Sequence, residues 1–139
     1  MAVTRFLAAL NAHDPDAIAA CVTAEFHNEH TSQLGESTTG RAAYRERLST
    51  FLAEFGNLRY AVEDVVVEAD RAAVAYTMTC TWQSHPVTIR GMFRFQVTDG
   101  LVAHRADYWD SADFVRQTVS GAARGGAGAI PPTPGPTAR

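Results

Sequence analysis

The chain has 139 residues, 46% of them hydrophobic, and a net charge of −3. That is enough apolar material for one buried core and gives no reason for a second. Its 12 basic residues, all arginine, are scattered among 15 acidic ones, which excludes the cationic field that drives nucleic-acid binding. No apolar run approaches the ~20 residues of a membrane-spanning helix. The opening MAVTRFLAALNAHD also lacks the basic region and cleavage site of a leader, so a soluble, cytoplasmic protein is expected. Cys21 and Cys80 stand on a predicted helix and a predicted strand with no further cysteines around them, which predicts buried thiols in a reducing compartment rather than a disulfide.

Val3, Phe6, Leu7 and Leu10 recur at helical spacing and predict a first amphipathic helix ending near Asn11. Asp14 then Pro15 gives an N-cap with proline in the first turn, and Ala17, Ile18, Cys21 and Val22 mark the buried face of a second, short helix. Between Glu25 and His30 the helical period is lost; a short strand there puts Phe26, Asn28 and His30 on one face and His27 and Glu29 on the other. The polar stretch Thr31 to Gly40 reads as a loop. A third helix carries Tyr44, Leu48, Phe51, Leu52 and Phe55, with Gly56 placed to end it at the C′ position.

Beyond Gly56 the period changes to two. Leu58, Tyr60 and Val62 alternate, and Ala69-Asp70-Arg71 forms the turn into a strand whose Tyr76, Met78, Cys80 and Trp82 face one way and Ala75, Thr77, Thr79 and Thr81 the other. After a turn at Ser84 to Pro86, Ile89, Gly91, Phe93 and Phe95 alternate with Arg90, Met92, Arg94 and Gln96. Thr98-Asp99-Gly100 is a hairpin turn into a strand from Leu101 to Trp109. The result is a meander of three long strands. A turn or two of helix is expected from Ser111 to about Val119; the rest of the chain, residues 120–139, is too poor in large apolar residues for a core and is expected to be a flexible tail.

The predicted architecture is α+β, one domain over residues 1–119: a cone-shaped, curved antiparallel sheet covered by three N-terminal helices. Tyr76, Met78, Cys80, Trp82, Gly91, Phe93 and Phe95 would line the cone, a setting suited to a hydrophobic small molecule.

The segments RFLAALNAHDPDAI, GRAAYRERL and MFRFQVTDGLVAHRADYWD, and the order of the elements, resemble the nuclear transport factor 2-like superfamily over residues 3 to 115. That superfamily includes ketosteroid isomerases, limonene-epoxide hydrolases and SnoaL-like polyketide cyclases, so the resemblance fixes a fold better than a reaction. The isomerase's oxyanion-hole tyrosine falls on Phe6, its protonated acid on Gly91 and its general base on His30, which disfavours steroid isomerisation by that mechanism. The epoxide hydrolase's RDYFD ending resembles Arg105-Ala106-Asp107-Tyr108-Trp109-Asp110, so its water-activating carboxylate falls on Asp107, and the tyrosine and asparagine that help hold the water fall on Asn28 and His30. The groups that polarise the epoxide fall near Met78 and Cys80, leaving the electrophilic half missing. The chain is compatible with the SnoaL-like cyclases, which use an acid in the final strands. The resemblance also implies a homodimer formed through the outer sheet face, with Thr77, Thr79, Thr81, Arg90, Met92 and Arg94.

Strand parity points Asn28 and His30 inward from the first strand and Arg105, Asp107 and Trp109 inward from the last. His30 and Asp107 are the candidate catalytic pair, one moving a proton and the other orienting it or sharing a water. Asn28, Tyr76, Met78, Trp82, Phe93, Arg105 and Trp109 are the candidate substrate contacts. Ligand binding without turnover and a purely structural His30–Asp107 pair remain open, as does the alternative that the aromatic residues are core. An open cavity where the polar groups converge favours an enzyme, and a filled cone favours a binding or dimerisation module. Arg105 either binds a ligand oxygen or, the favoured reading, neutralises Asp107 or Asp110; Asp110 is read as the cap of the last helix. His27 and His30 have opposite parity, so no metal is expected, and no glycine-rich loop or nucleophile elbow calls for a nucleotide or other cofactor.

Overall fold

A computed structural model describes residues 1–119; the expected tail at 120–139 lies outside the described residues. Helix α1 (Ala2–Ala12) buries Val3, Phe6, Leu7 and Leu10, the stripe its period predicts. It stops at His13, whose φ of 58° is left-handed. Asn11 fastens that end to the sheet, its carbonyl accepting from Tyr60 N at 2.7 Å and its amide donating to Tyr60 O at 3.0 Å. In α2 (Pro15–Ala19) the Asp14 carboxylate accepts from the backbone of Asp16 and Ala17, satisfying amides that a helix start otherwise leaves unpaired.

Strand β1 (Val22–His30) starts earlier than the sequence suggests, and a two-residue strand β2 (Thr38–Thr39) forms inside the expected loop. Helix α3 (Arg41–Glu54) follows. Gly56 does not end it in a left-handed cap: strand β3 (Phe55–Glu68) begins at the next residue, and the positive φ falls on Asn57 at 54°. Glycine there was no guide because helix and strand are contiguous, with no intervening loop to cap.

Strands β4 (Arg71–Trp82), β5 (His85–Thr98) and β6 (Leu101–Tyr108) complete a four-strand meander with β3. The β4–β5 turn is Gln83-Ser84, two residues with φ of 46° and 69°, so Pro86 lies within β5 rather than in the turn. Asp99-Gly100 turns β5 into β6 with φ of 52° and 77°. Paired positive φ angles are what a two-residue hairpin needs to match strand twist. The short α4 (Ser111–Thr118) is capped by Asp110, which accepts from Ala112 N at 2.9 Å and Asp113 N at 3.3 Å.

The sheet order is β2-β1-β6-β5-β4-β3. The sheet is curved and unclosed, and it is mixed, not wholly antiparallel: β1 runs parallel to β6, with Asn28 opposite Arg105 and His30 opposite Asp107. A parallel pair demands a crossover, and helix α3 with β3 to β5 supplies it. Helices α1 and α3 pack on the inner face. Between them and the sheet lie Phe6, Leu10, Ile18, Phe26, Leu48, Phe55, Leu58, Val74, Met78, Ile89 and Phe95, all essentially inaccessible; each such large side chain contributes about 1.5–3 kcal/mol by burial. Cys21 and Cys80 are not joined in a disulfide; Cys80 is buried as expected, and Cys21 is half-buried. Among the described residues no helix is long and apolar enough to cross a membrane.

Candidate functional site

Period-two alternation on two parallel strands in register brings four polar side chains to the inner face: Asn28 and His30 from β1, Arg105 and Asp107 from β6. Asp107 is fully buried, and Asn28 and Arg105 are nearly so. The Arg105 guanidinium donates from Nε and Nη2 to Asn28 Oδ1 at 3.1 and 2.6 Å. It lies 5.4 Å from the Phe6 ring centre and 5.0 Å from that of Phe93, distances at which a cation is attracted by a ring face. Its hydrogen bonds thus go to an amide; among the described residues it forms no ion pair with Asp107 or Asp110. The expected internal neutralisation is absent because Asp107 is engaged elsewhere and Asp110 caps α4.

This arrangement fixes the imidazole. Because Asn28 Oδ1 faces Arg105, its amide nitrogen faces His30, 3.4 Å from Nε2. An amide NH2 only donates, so Nε2 is the accepting nitrogen and the neutral ring carries its proton on Nδ1. That nitrogen lies 3.5 Å from Asp107 Oδ2. The other oxygen of the carboxylate, Oδ1, accepts from Tyr76 Oη at 2.6 Å. Tyr76 comes from β4, two strands away, and is paired with Gly91 on β5. A Cβ at Gly91 would collide with the Tyr76 hydroxyl and lie 2.6 Å from Cζ and 2.7 Å from Tyr108 O. The missing side chain is therefore what lets the ring pass over β5 to reach β6.

The pocket beside this cluster is lined by Leu10, Asn28, His30, Tyr44, Leu48, Phe51 and Arg105, with Glu36, Thr38 and Arg47 completing its wall. The cavity is small, about 30 Å3, within an empty volume of about 400 Å3 that includes its mouth. Of the candidate contacts, Asn28 and Arg105 reach it. Tyr76, Met78, Trp82, Phe93 and Trp109 are buried in the core cluster and do not line it. The cone axis is filled by rings: Tyr76 lies 4.4 Å from Phe93 and 5.1 Å from Tyr60, centre to centre. The open space sits off that axis, between β1 and α3.

Tyr44 is the residue that sequence reasoning missed. Its spacing belongs to the apolar stripe of α3, and its ring does pack edge-on against Phe26 at 4.8 Å. Its hydroxyl, however, is buried at the pocket and has no hydrogen-bond partner among the described residues. Burial pushes its pKa up to about 12, against the opposing pull of the Arg105 charge, so at ordinary pH it is a neutral donor. A tyrosine on a buried stripe whose hydroxyl must find a partner was the available signal.

The sequence matches the profile of the SnoaL-like domain family over residues 3–105. The chain belongs to that family. No curated protein sequence matches it significantly. Among solved structures, a protein of ketosteroid isomerase-like fold from Catenulispora acidiphila, in complex with trimethylamine, superposes with a TM-score of 0.77 at 15% identity, covering 84% of this chain and 91% of that one. TerC, co-crystallized with polyporic acid, gives 0.74 at 20% identity, covering 84% and 94%. An epoxide hydrolase of M. tuberculosis, similar to the limonene-epoxide hydrolases, gives 0.72 at 20% identity, covering 81% and 82%. At these identities the likeness is one of fold, and the SnoaL-like chain must be read from its own side chains.

Proposed function

We propose that this SnoaL-like protein is a small cofactor-independent enzyme that moves a proton on a hydrophobic, carbonyl-bearing small molecule, in an isomerisation, cyclisation or hydration. The observation that carries this reading is the His30–Asp107 dyad at the edge of a pocket that also presents Arg105 and Tyr44. When substrate binds, the Asn28 amide gives up its long 3.4 Å contact with His30 Nε2; that nitrogen takes a proton from carbon next to the carbonyl, Asp107 stabilises the imidazolium, and the same nitrogen returns the proton to another atom of the substrate. The negative charge that builds on the carbonyl oxygen is met by Arg105, which has donors beyond the two bound to Asn28, and by the Tyr44 hydroxyl. Donors placed in advance where charge develops are the largest contribution such a site can make. A substrate larger than the present cavity requires lining side chains such as Glu36, Arg47 and Phe51 to move aside.

A cytoplasmic location fits two cysteines that are not joined in a disulfide, and a homodimer fits the exposed outer face, where Met92 is 44% and Tyr108 41% accessible. The filled cone axis favours a second reading, a module that binds a small ligand without turnover. Deuterium uptake separates the two. Cyclic ketones that raise the melting temperature should exchange their α-protons in D2O faster with the protein than without, and His30→Ala should abolish the acceleration while the ligand still binds. Ketones that bind without accelerated exchange would leave the binding reading alone standing.

A further inference from the structure

The alternation that turns Asn28 and His30 inward turns His27 and Glu29 outward, and the parallel register sets His27 beside His104 of β6. One nitrogen of each histidine and one Glu29 oxygen lie within 4.8 Å of one another. Nothing in the pocket chemistry uses these three residues. We propose that His27, Glu29 and His104 form a site for one divalent transition-metal ion, zinc above all, on the outer face of the sheet.

Three features support the assignment. The donor set, two imidazoles and a carboxylate, is one that zinc takes with water in the remaining position. The donors are already turned toward one another: His104 Nε2 lies 2.9 Å from Glu29 Oε1, and the His27 and His104 rings are 5.0 Å apart, centre to centre. A cation would take the place of the proton between that nitrogen and oxygen. Thirdly, His27 Nδ1 is 3.1 Å from Thr39 Oγ1 on β2. Metal-bound histidines hold the ring by such a bond from the nitrogen that does not ligate, which leaves His27 Nε2 for the ion. Bonds of about 2.0–2.2 Å place tetrahedral ligand atoms roughly 3.3 Å apart. The three side chains are partly exposed, so their rotamers have room to adjust toward that spacing.

The bound ion ties β1 to β6 directly behind the strand segment that carries Asn28, His30, Arg105 and Asp107. It is a clamp on the opposite face, outside the pocket. Calorimetric titration of zinc chloride into tag-free, chelator-treated protein tests this. One ion should bind per chain at micromolar concentration or tighter. His27→Ala and His104→Ala should each weaken binding by more than the ~10–100-fold that loss of a supporting outer-shell group produces, and Glu29→Gln should weaken it less. His85→Ala is the control and should leave binding unchanged. Circular dichroism of each variant confirms that it folds, and cobalt should give the visible absorption of a low-symmetry site that disappears in His104→Ala. Millimolar binding, half an ion per chain, or equal loss in His85→Ala would each overturn the assignment.

Discussion

Gly91→Ala is a sensitive probe of how the buried carboxylate is held. The new methyl would collide with the Tyr76 hydroxyl and sit 2.6 Å from Cζ and 2.7 Å from the Tyr108 carbonyl, all closer than carbon atoms pack. The tyrosine ring is locked between Tyr60 and Phe93 and the carbonyl belongs to the backbone, so neither yields easily. Overpacking of this kind costs about 1–3 kcal/mol. If the ring swings away, the 2.6 Å bond to Asp107 goes with it, adding ~1.5–3 kcal/mol for a lost bond to a charged group. The gain from restricting the unfolded glycine, ~0.4–1 kcal/mol, is too small to offset this. The net expectation is a loss of about 2–5 kcal/mol, a large part of the ~5–15 kcal/mol that holds a domain together. Urea unfolding measures it. Tyr76→Phe alone should lose about 1.5–3 kcal/mol, and because it deletes the atom nearest the new methyl, Gly91→Ala should do less harm in that background, by ~0.5–3 kcal/mol. A Gly91→Ala protein within ~0.5 kcal/mol of the parent, or strict additivity of the two changes, would refute the account of why glycine is there.

Gly35→Ala should strike His30 from the other side, since its Cβ would overlap the histidine Cβ and lie 3.0 Å from Cγ. We expect a loss of ~1–3 kcal/mol together with impaired α-proton exchange, and a variant unchanged in both would show that the loop does not position the ring. Asp110→Ala should cost about 1 kcal/mol by thermal unfolding and Asp110→Asn much less; equal losses would mean that charge, not capping, matters. On the outer face, Arg90 and Thr77 bond Glu63 and hold its carboxyl near pH 2, down from the usual 4.5. Because the folded value is the lower one, whatever stability this contributes is present above about 4.5 and is lost as pH falls toward 2. Carbon-detected NMR should place the midpoint near 2 and Arg90→Gln should raise it; a midpoint above 4 in the parent would contradict the geometry.

Much of the fold was legible because local signals agreed with one another. The stripe Val3, Phe6, Leu7 and Leu10, the Asp14-Pro15 cap and the Asp99-Gly100 turn each name one element and its edge. Parity correctly turned Asn28, His30, Arg105 and Asp107 inward. Three things were not legible. A period of two does not encode which strand is the neighbour or in which direction it runs, so the parallel β1–β6 pair was hidden. Aromatic residues on an inward face look the same whether they line a hollow or fill it, and here Tyr60, Tyr76 and Phe93 fill it. The third is Tyr44, whose ring obeys the helical stripe so well that its hydroxyl was passed over.

The Arg105–Asn28 bond joins residues 77 positions apart, and the strands that carry them sit side by side only after everything between them has found its place. Helices and hairpins close over short loops and can form quickly, whereas this zippering must close one of the longest loops in the domain. A nascent chain that has not yet released β6 from the ribosome therefore lacks the strand that joins β1 and β2 to the meander and that carries Arg105 and Asp107. The Asn28–Arg105 and His30–Asp107 contacts should form late in refolding, trailing the far-ultraviolet signal of the helices.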